Sequence, residues 1–121
     1  MSKRTAQLYL EDILSSIVAI EEFTKEMTFQ DFQNDKKTVD AVVRNLEIIG
    51  EAANNIPQEL KENYSTIPWR DMISMRNKIM HEYFGVDTEI MWKTIQEDLP
   101  SLKTKVENLS LSKPQKEDCS E

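Results

Sequence analysis

Between positions 76 and 83 the chain gathers an arginine, an asparagine, its single histidine and a tyrosine: Arg76, Asn77, His81 and Tyr83. Histidine is the side chain whose ordinary pKa lies near neutrality, so His81 can take or give a proton at physiological pH. An arginine presents a planar fork of N–H donors that matches two oxygens of a phosphate. Asn77 precedes His81 by four residues, about 40° away on a helix, and shares its face. The set suits an anion with transferable protons. A plainer reading competes with it. Arg76 falls inside an apolar stripe of Trp69, Met72, Ile73, Ile79 and Met80, about 20° from Trp69 on a helical wheel. An arginine there must be paired or line a cleft, because an unpaired buried charge costs several kcal/mol. A structural ion pair would satisfy it equally well, and a lone histidine in a helical protein is more often structural than catalytic. The partners for such a pair are Glu47 and Glu51, with Arg44 on the same side, Arg44 and Glu51 lying about 20° apart. Those three also read as a solvated face with weak helical ion pairs. Spacing alone leaves these readings open. It also leaves a geometric problem, since Arg76 and His81 stand five residues apart, about 140° around a straight helix. Either the helix loosens near His81, or a second copy of the chain completes the site.

Composition narrows the chemistry. One histidine excludes every two-histidine metal motif, and one cysteine, Cys119, excludes an intramolecular disulfide or a cysteine-based zinc site. No metal or cofactor is therefore expected. The 121 residues fit one domain large enough for its own core. No apolar run approaches the roughly 20 residues that span a bilayer, so no membrane role is expected. Glu11 and Asp12 interrupt the N-terminal segment that a signal peptide would need, which makes the cytoplasm the expected compartment. With 15 Lys+Arg against 22 Asp+Glu the net charge is −7, which opposes any broad grip on a nucleic-acid backbone.

The elements that must hold these residues read as helices. Ala6, Leu10, Ile13, Ile17, Ile20 and Met27 recur at helical spacing, widened by Leu14 and Phe23, and predict a helix over residues 3–27. Thr28-Phe29-Gln30-Asp31-Phe32 reads as a short capped turn. Val39, Val42, Leu46, Ile49, Ala53 and Ile56 predict a second helix near 35–55, with Gly50 inside it for close approach of a neighbouring backbone. Pro57 opens a short helix over Gln58–Asn63, and Pro68 opens a longer one over 68–83 that Gly85 ends. Asp87 caps a last helix bearing Ile90, Met91, Ile95, Leu99, Leu102, Val106 and Leu109, with Pro100 expected to kink or break it. The prediction is an all-α, antiparallel four-helix bundle with one extra short helix over residues 1–110. A polar, disordered tail is expected over 111–121.

The segment Met75-Arg76-Asn77-Lys78-Ile79-Met80-His81-Glu82-Tyr83-Phe84-Gly85-Val86-Asp87 resembles the signature of HepT-like proteins, a branch of the HEPN superfamily. Tyr9–Leu14, Ala41–Ala52 and Ile67-Pro68-Trp69 are similar to further family blocks in the same order, so the resemblance covers about residues 5–109. It implies a HEPN-like homodimer that acts as the toxin of a toxin–antitoxin pair. It implies a metal-independent endoribonuclease in which Arg76 and His81 carry the chemistry and Asn77 is the polar member of the motif. Tyr83 matches the residue to which a minimal nucleotidyltransferase antitoxin attaches AMP. The implied partners are that antitoxin and an RNA substrate, with no DNA.

A different class of function stays in view: a non-catalytic binding partner that regulates a nucleotidyltransferase. The acidity also reads differently by position. Over Trp69–His81 the chain holds Arg70, Arg76 and Lys78 against Asp71 alone. A local phosphate site is compatible with that balance, and a general RNA-coating protein is not.

Overall fold

The computed structural model describes the backbone of residues 5–81 and 87–119, and the side chains of residues 5–75 and 87–109. All regular structure in these residues is helical: α1 (Ala6–Thr24), α2 (Phe29–Gln33), α3 (Lys36–Asn55), α4 (Gln58–Asn63), α5 (Trp69–His81), α6 (Thr88–Lys93) and α7 (Leu99–Cys119). A π-helical turn, Thr94–Asp98, joins α6 to α7. α3 packs along both α1 and α5, and α7 packs against α1. With short links between them, the long helices alternate in direction and form a HEPN-like bundle.

Local chemistry sets the boundaries. Thr5 caps α1 by accepting from the Leu8 N–H at 3.2 Å, so the helix starts at Ala6 rather than near residue 3. It stops at Thr24, short of Met27, where Lys25 leaves the helix at ψ 131 and Glu26 follows with a left-handed φ of 65. The Thr28 turn is a full helical turn. The Thr28 hydroxyl accepts from Asp31 N–H and the Asp31 carboxylate accepts from Thr28 N–H, both at 3.1 Å. The bundle therefore has two short extra helices, α2 and α4, where the sequence suggests one. Asp35 caps α3 through Thr38, accepting from its N–H at 3.2 Å and its hydroxyl at 2.9 Å. These bonds hold the Asp35 carboxyl below its ordinary range.

The regular α-helix is interrupted just before Pro100, where the π-helical turn Thr94–Asp98 separates α6 from α7. In a regular α-helix its ring would collide with the Gln96 carbonyl. The wider turn falls over that residue, and the Leu99 N–H reaches back five residues to the Thr94 carbonyl. The α7 backbone runs from Leu99 to Cys119.

The core is the sum of the helical stripes. Leu10, Ile13, Ile17 and Ile20 of α1 meet Val42, Leu46, Ile49 and Ala53 of α3, Trp69 and Met72 of α5, and Met91 through Leu109 of the last helix. Burying each large apolar side chain contributes about 1.5–3 kcal/mol. Two residues assigned to stripes stand outside it: Phe23 and Ile90 are exposed. Trp92, absent from the stripe, closes one end of the bundle by packing on Phe32 and Phe29 of α2, with ring centroids 5.3 Å and 6.2 Å away. Gly50 is buried in α3, the helix that sits between α1 and α5. Among the described residues no helix is long and apolar enough to cross a membrane.

Candidate active site

α5 is the element that carries the motif, and its start is anchored. The buried Trp69 donates from Nε1 to the Tyr64 carbonyl at 3.2 Å, while its backbone N–H donates to Ile67 at 2.8 Å. Lys105 of α7 reaches across and donates from Nζ to the Thr66 carbonyl at 3.2 Å. Three bonds thus tie the turn before α5 to itself and to α7. The sequence marks Ile67-Pro68-Trp69 as a block without revealing these tethers. The indole N–H of a buried tryptophan, which must find an acceptor, is the signal that points to one of them.

The α5 backbone is helical through His81. The helix shows no loosening ahead of His81. Arg76 and His81 occupy register positions about 140° apart and about 7.5 Å apart along the axis. Position 76 shares its register with Trp69 and Met72, both buried against the core. Position 77 shares its register with 81. The side chains of Arg76, Asn77 and His81, and Tyr83 and Gly85 altogether, lie outside the described residues.

The supporting set on α3 is spread out. Arg44 and Glu51 are exposed and Glu47 is half-buried. Asn55 donates from Nδ2 to the Glu51 carbonyl at 2.9 Å and to its carboxylate at 3.4 Å. Leu46 and Ile49 line the same groove as Met72 and Met75.

Two grooves flank α5. One, of about 370 Å³, lies between α5 and the π turn with α7, floored by Leu46 and Ile49. The other, of about 530 Å³, lies between α4 and α5 and includes Arg70 and Ser74. Neither was apparent from the sequence, because each depends on how far apart two helices settle. Among the described residues no group of three or more His, Cys, Asp or Glu side chains comes together as metal ligands.

An all-helical bundle whose fifth helix carries Arg-Asn, three residues, then His, with Tyr two positions on, belongs to the HEPN-like class. Comparison with known proteins carries this to the family. The model of the HepT-like ribonucleases matches residues 13–109. A Thermococcus cleftensis protein named "Probable ribonuclease HepT" is 57% identical over 107 residues, covering 88% of this chain and 97% of its own. Methanocaldococcus jannaschii "Putative RNase MJ1380" is 43% identical over 107 residues, covering 88% and 98%. Caldanaerobacter subterraneus "Putative RNase TTE0752" is 42% identical over 106 residues, covering 88% and 95%. No solved structure gives a significant match. The chain belongs to the HepT-like ribonuclease family.

Proposed function

We propose that the protein is a metal-independent endoribonuclease, the toxin of a toxin–antitoxin pair, working as a homodimer in the cytoplasm. The observation that carries this reading is that Arg76, Asn77 and His81 lie on one anchored helix, α5, in a chain of the HepT-like ribonuclease family. RNA supplies its own nucleophile. The ribose 2′-OH attacks the adjacent phosphorus, the new O–P bond forms as the bond to the 5′-oxygen breaks, and the products are a 2′,3′-cyclic phosphate and a 5′-hydroxyl. One proton leaves the 2′-OH and one arrives at the 5′-oxygen. His81 handles one of these transfers as general base or acid. Arg76 stabilises the charge that builds on the non-bridging oxygens through two parallel N–H donors. Asn77 orients His81 or contacts the phosphate.

AMP attached to Tyr83 by a cognate minimal nucleotidyltransferase would place a bulky anion where the RNA phosphate sits, and so switch the enzyme off. The test uses the purified protein in excess chelator with single-stranded RNA. Cleavage to cyclic-phosphate ends is expected, and His81→Ala and Arg76→Ala should each abolish it. Cleavage that survives in His81→Ala overturns the assignment. A chain that is inert alone, and harmless when expressed without its neighbour, would instead fit a regulator of the nucleotidyltransferase.

A further inference from the structure

The groove between α5 and the last helix is built from two materials. Its floor is apolar: Leu46, Ile49, Met72, Leu99 and Leu102 are buried, and Met75 is half-buried. Its rim is acidic: Asp71 from α5 and Glu97 and Asp98 from the π turn are exposed. Among the described residues the one basic side chain lining it, Lys105, is engaged with the Thr66 carbonyl. Glu97 and Asp98 stand one helical turn before Ser101 and Leu102, so they line the same groove. Along α5 the lining runs from Pro68 to Met75, about 10 Å, and along the last helix from Thr94 to Lys105, about 16 Å. That length accepts two to three turns of a helix laid between two others.

We propose that this groove docks a cationic amphipathic segment of a partner protein, with methionine- or leucine-like side chains on the floor and Lys or Arg against Asp71, Glu97 and Asp98. Charge decides between occupants. The rim carboxylates Asp71, Glu97 and Asp98 repel the phosphates of RNA and favour a cationic occupant. A basic segment is attracted by the same groups, which set its orientation and speed its encounter, while the apolar floor holds it. Met72 and Met75 suit this use, because unbranched thioether side chains adapt to an incoming apolar surface. The site stands on the groove alone and is independent of ribonuclease activity.

The test uses the full-length protein and a fluorescein-labelled 18-residue helical peptide of Leu and Lys, with Leu at three- and four-residue spacing. Fluorescence anisotropy should show binding, and a Leu/Glu counterpart should not bind. Glu97→Lys with Asp98→Lys should weaken the cationic peptide by tenfold or more, about 1.4 kcal/mol. The same charge change at exposed acids on other helices, Glu11→Lys with Asp40→Lys, should leave it within about threefold. On binding, the methyl resonances of Met72 and Met75 should shift while those of Met27 and Met91 stay in place. His81→Ala should bind the peptide as the native protein does, which separates failure here from failure of the ribonuclease reading.

Equal loss in both charge-reversed proteins would mean that the peptide senses only net charge, and overturns the site. So would methyl shifts elsewhere. Single-stranded RNA that displaces the peptide and is itself weakened by the Glu97/Asp98 pair would give the groove to nucleic acid. Conversion of a dimer to a monomer by that same pair would give it to a second copy.

Discussion

Arg76 and His81 could be picked out from sequence because their types are rare in this context: a charge on an apolar stripe, and the only histidine of the chain. Their roles separate by substitution. Arg76→Lys keeps the positive charge and removes the fork, so a phosphate oxygen loses its second donor. If Arg76 serves transition-state charge, Arg76→Lys should lower RNA cleavage by about 10²-fold or more in kcat, with thermal stability close to native. If Arg76 is instead the buried half of a structural ion pair, both Arg76→Lys and Arg76→Ala should lower the melting temperature. Melting curves and single-turnover cleavage on the same samples decide between them. What the residues could not reveal is the backbone that lies between them. Helical phase sends positions 76 and 81 apart, and only the backbone, helical through His81, removes the unwinding alternative.

Each helix was readable where its stripe is long, and α4 has the bounds that its opening proline suggests. The misreadings share a cause: they depend on backbone that side-chain pattern does not encode. Lys25 and the left-handed Glu26 end α1 early without a glycine to announce it, and the interruption that accompanies Pro100 takes the form of a π turn. Gly50 was readable as a close-approach residue because nothing else justifies its cost inside a helix. It lies buried in the helix that α1 and α5 both pack against. Gly50→Leu should therefore destabilise the protein by about 1–3 kcal/mol or more through overpacking, measured by urea unfolding. A neutral result would place that position at a loose contact. The Asp35 cap gives a pH signature. Its carboxyl is held below the ordinary 3.8 by the Thr38 bonds, so its contribution to folding is complete above that value. The contribution falls away only as pH drops through the lower folded-state value. The melting-temperature gap between native protein and Asp35→Ala should stay constant from neutral pH down to about 4 and close below it. A gap that closes between pH 6 and 5 would contradict the cap as its source.

Whole-molecule charge and symmetry bear on the same question. A dimer would carry −14, twice the chain's −7, so RNA affinity must come from a small local site rather than a broad field. The α5 geometry suggests what that site is. If one helix holds Arg76 and His81 on different sides, a two-fold dimer can bring Arg76 of one subunit to His81 of the other. This arrangement makes a sharp prediction from two inactive proteins. Arg76→Ala subunits still carry His81, and His81→Ala subunits still carry Arg76. Mixed after dissociation and allowed to reassociate, about half of the dimers are hybrids, each with one site that has both native residues and one that has neither. RNA cleavage should then recover to about one quarter of the native rate per subunit, from a baseline near zero for either variant alone. A site contained within one chain predicts no recovery at any mixing ratio, because no subunit in the mixture has both residues. Sedimentation of the same mixture shows that dimers have re-formed, so an absence of activity in a dimeric sample would rule out the shared site.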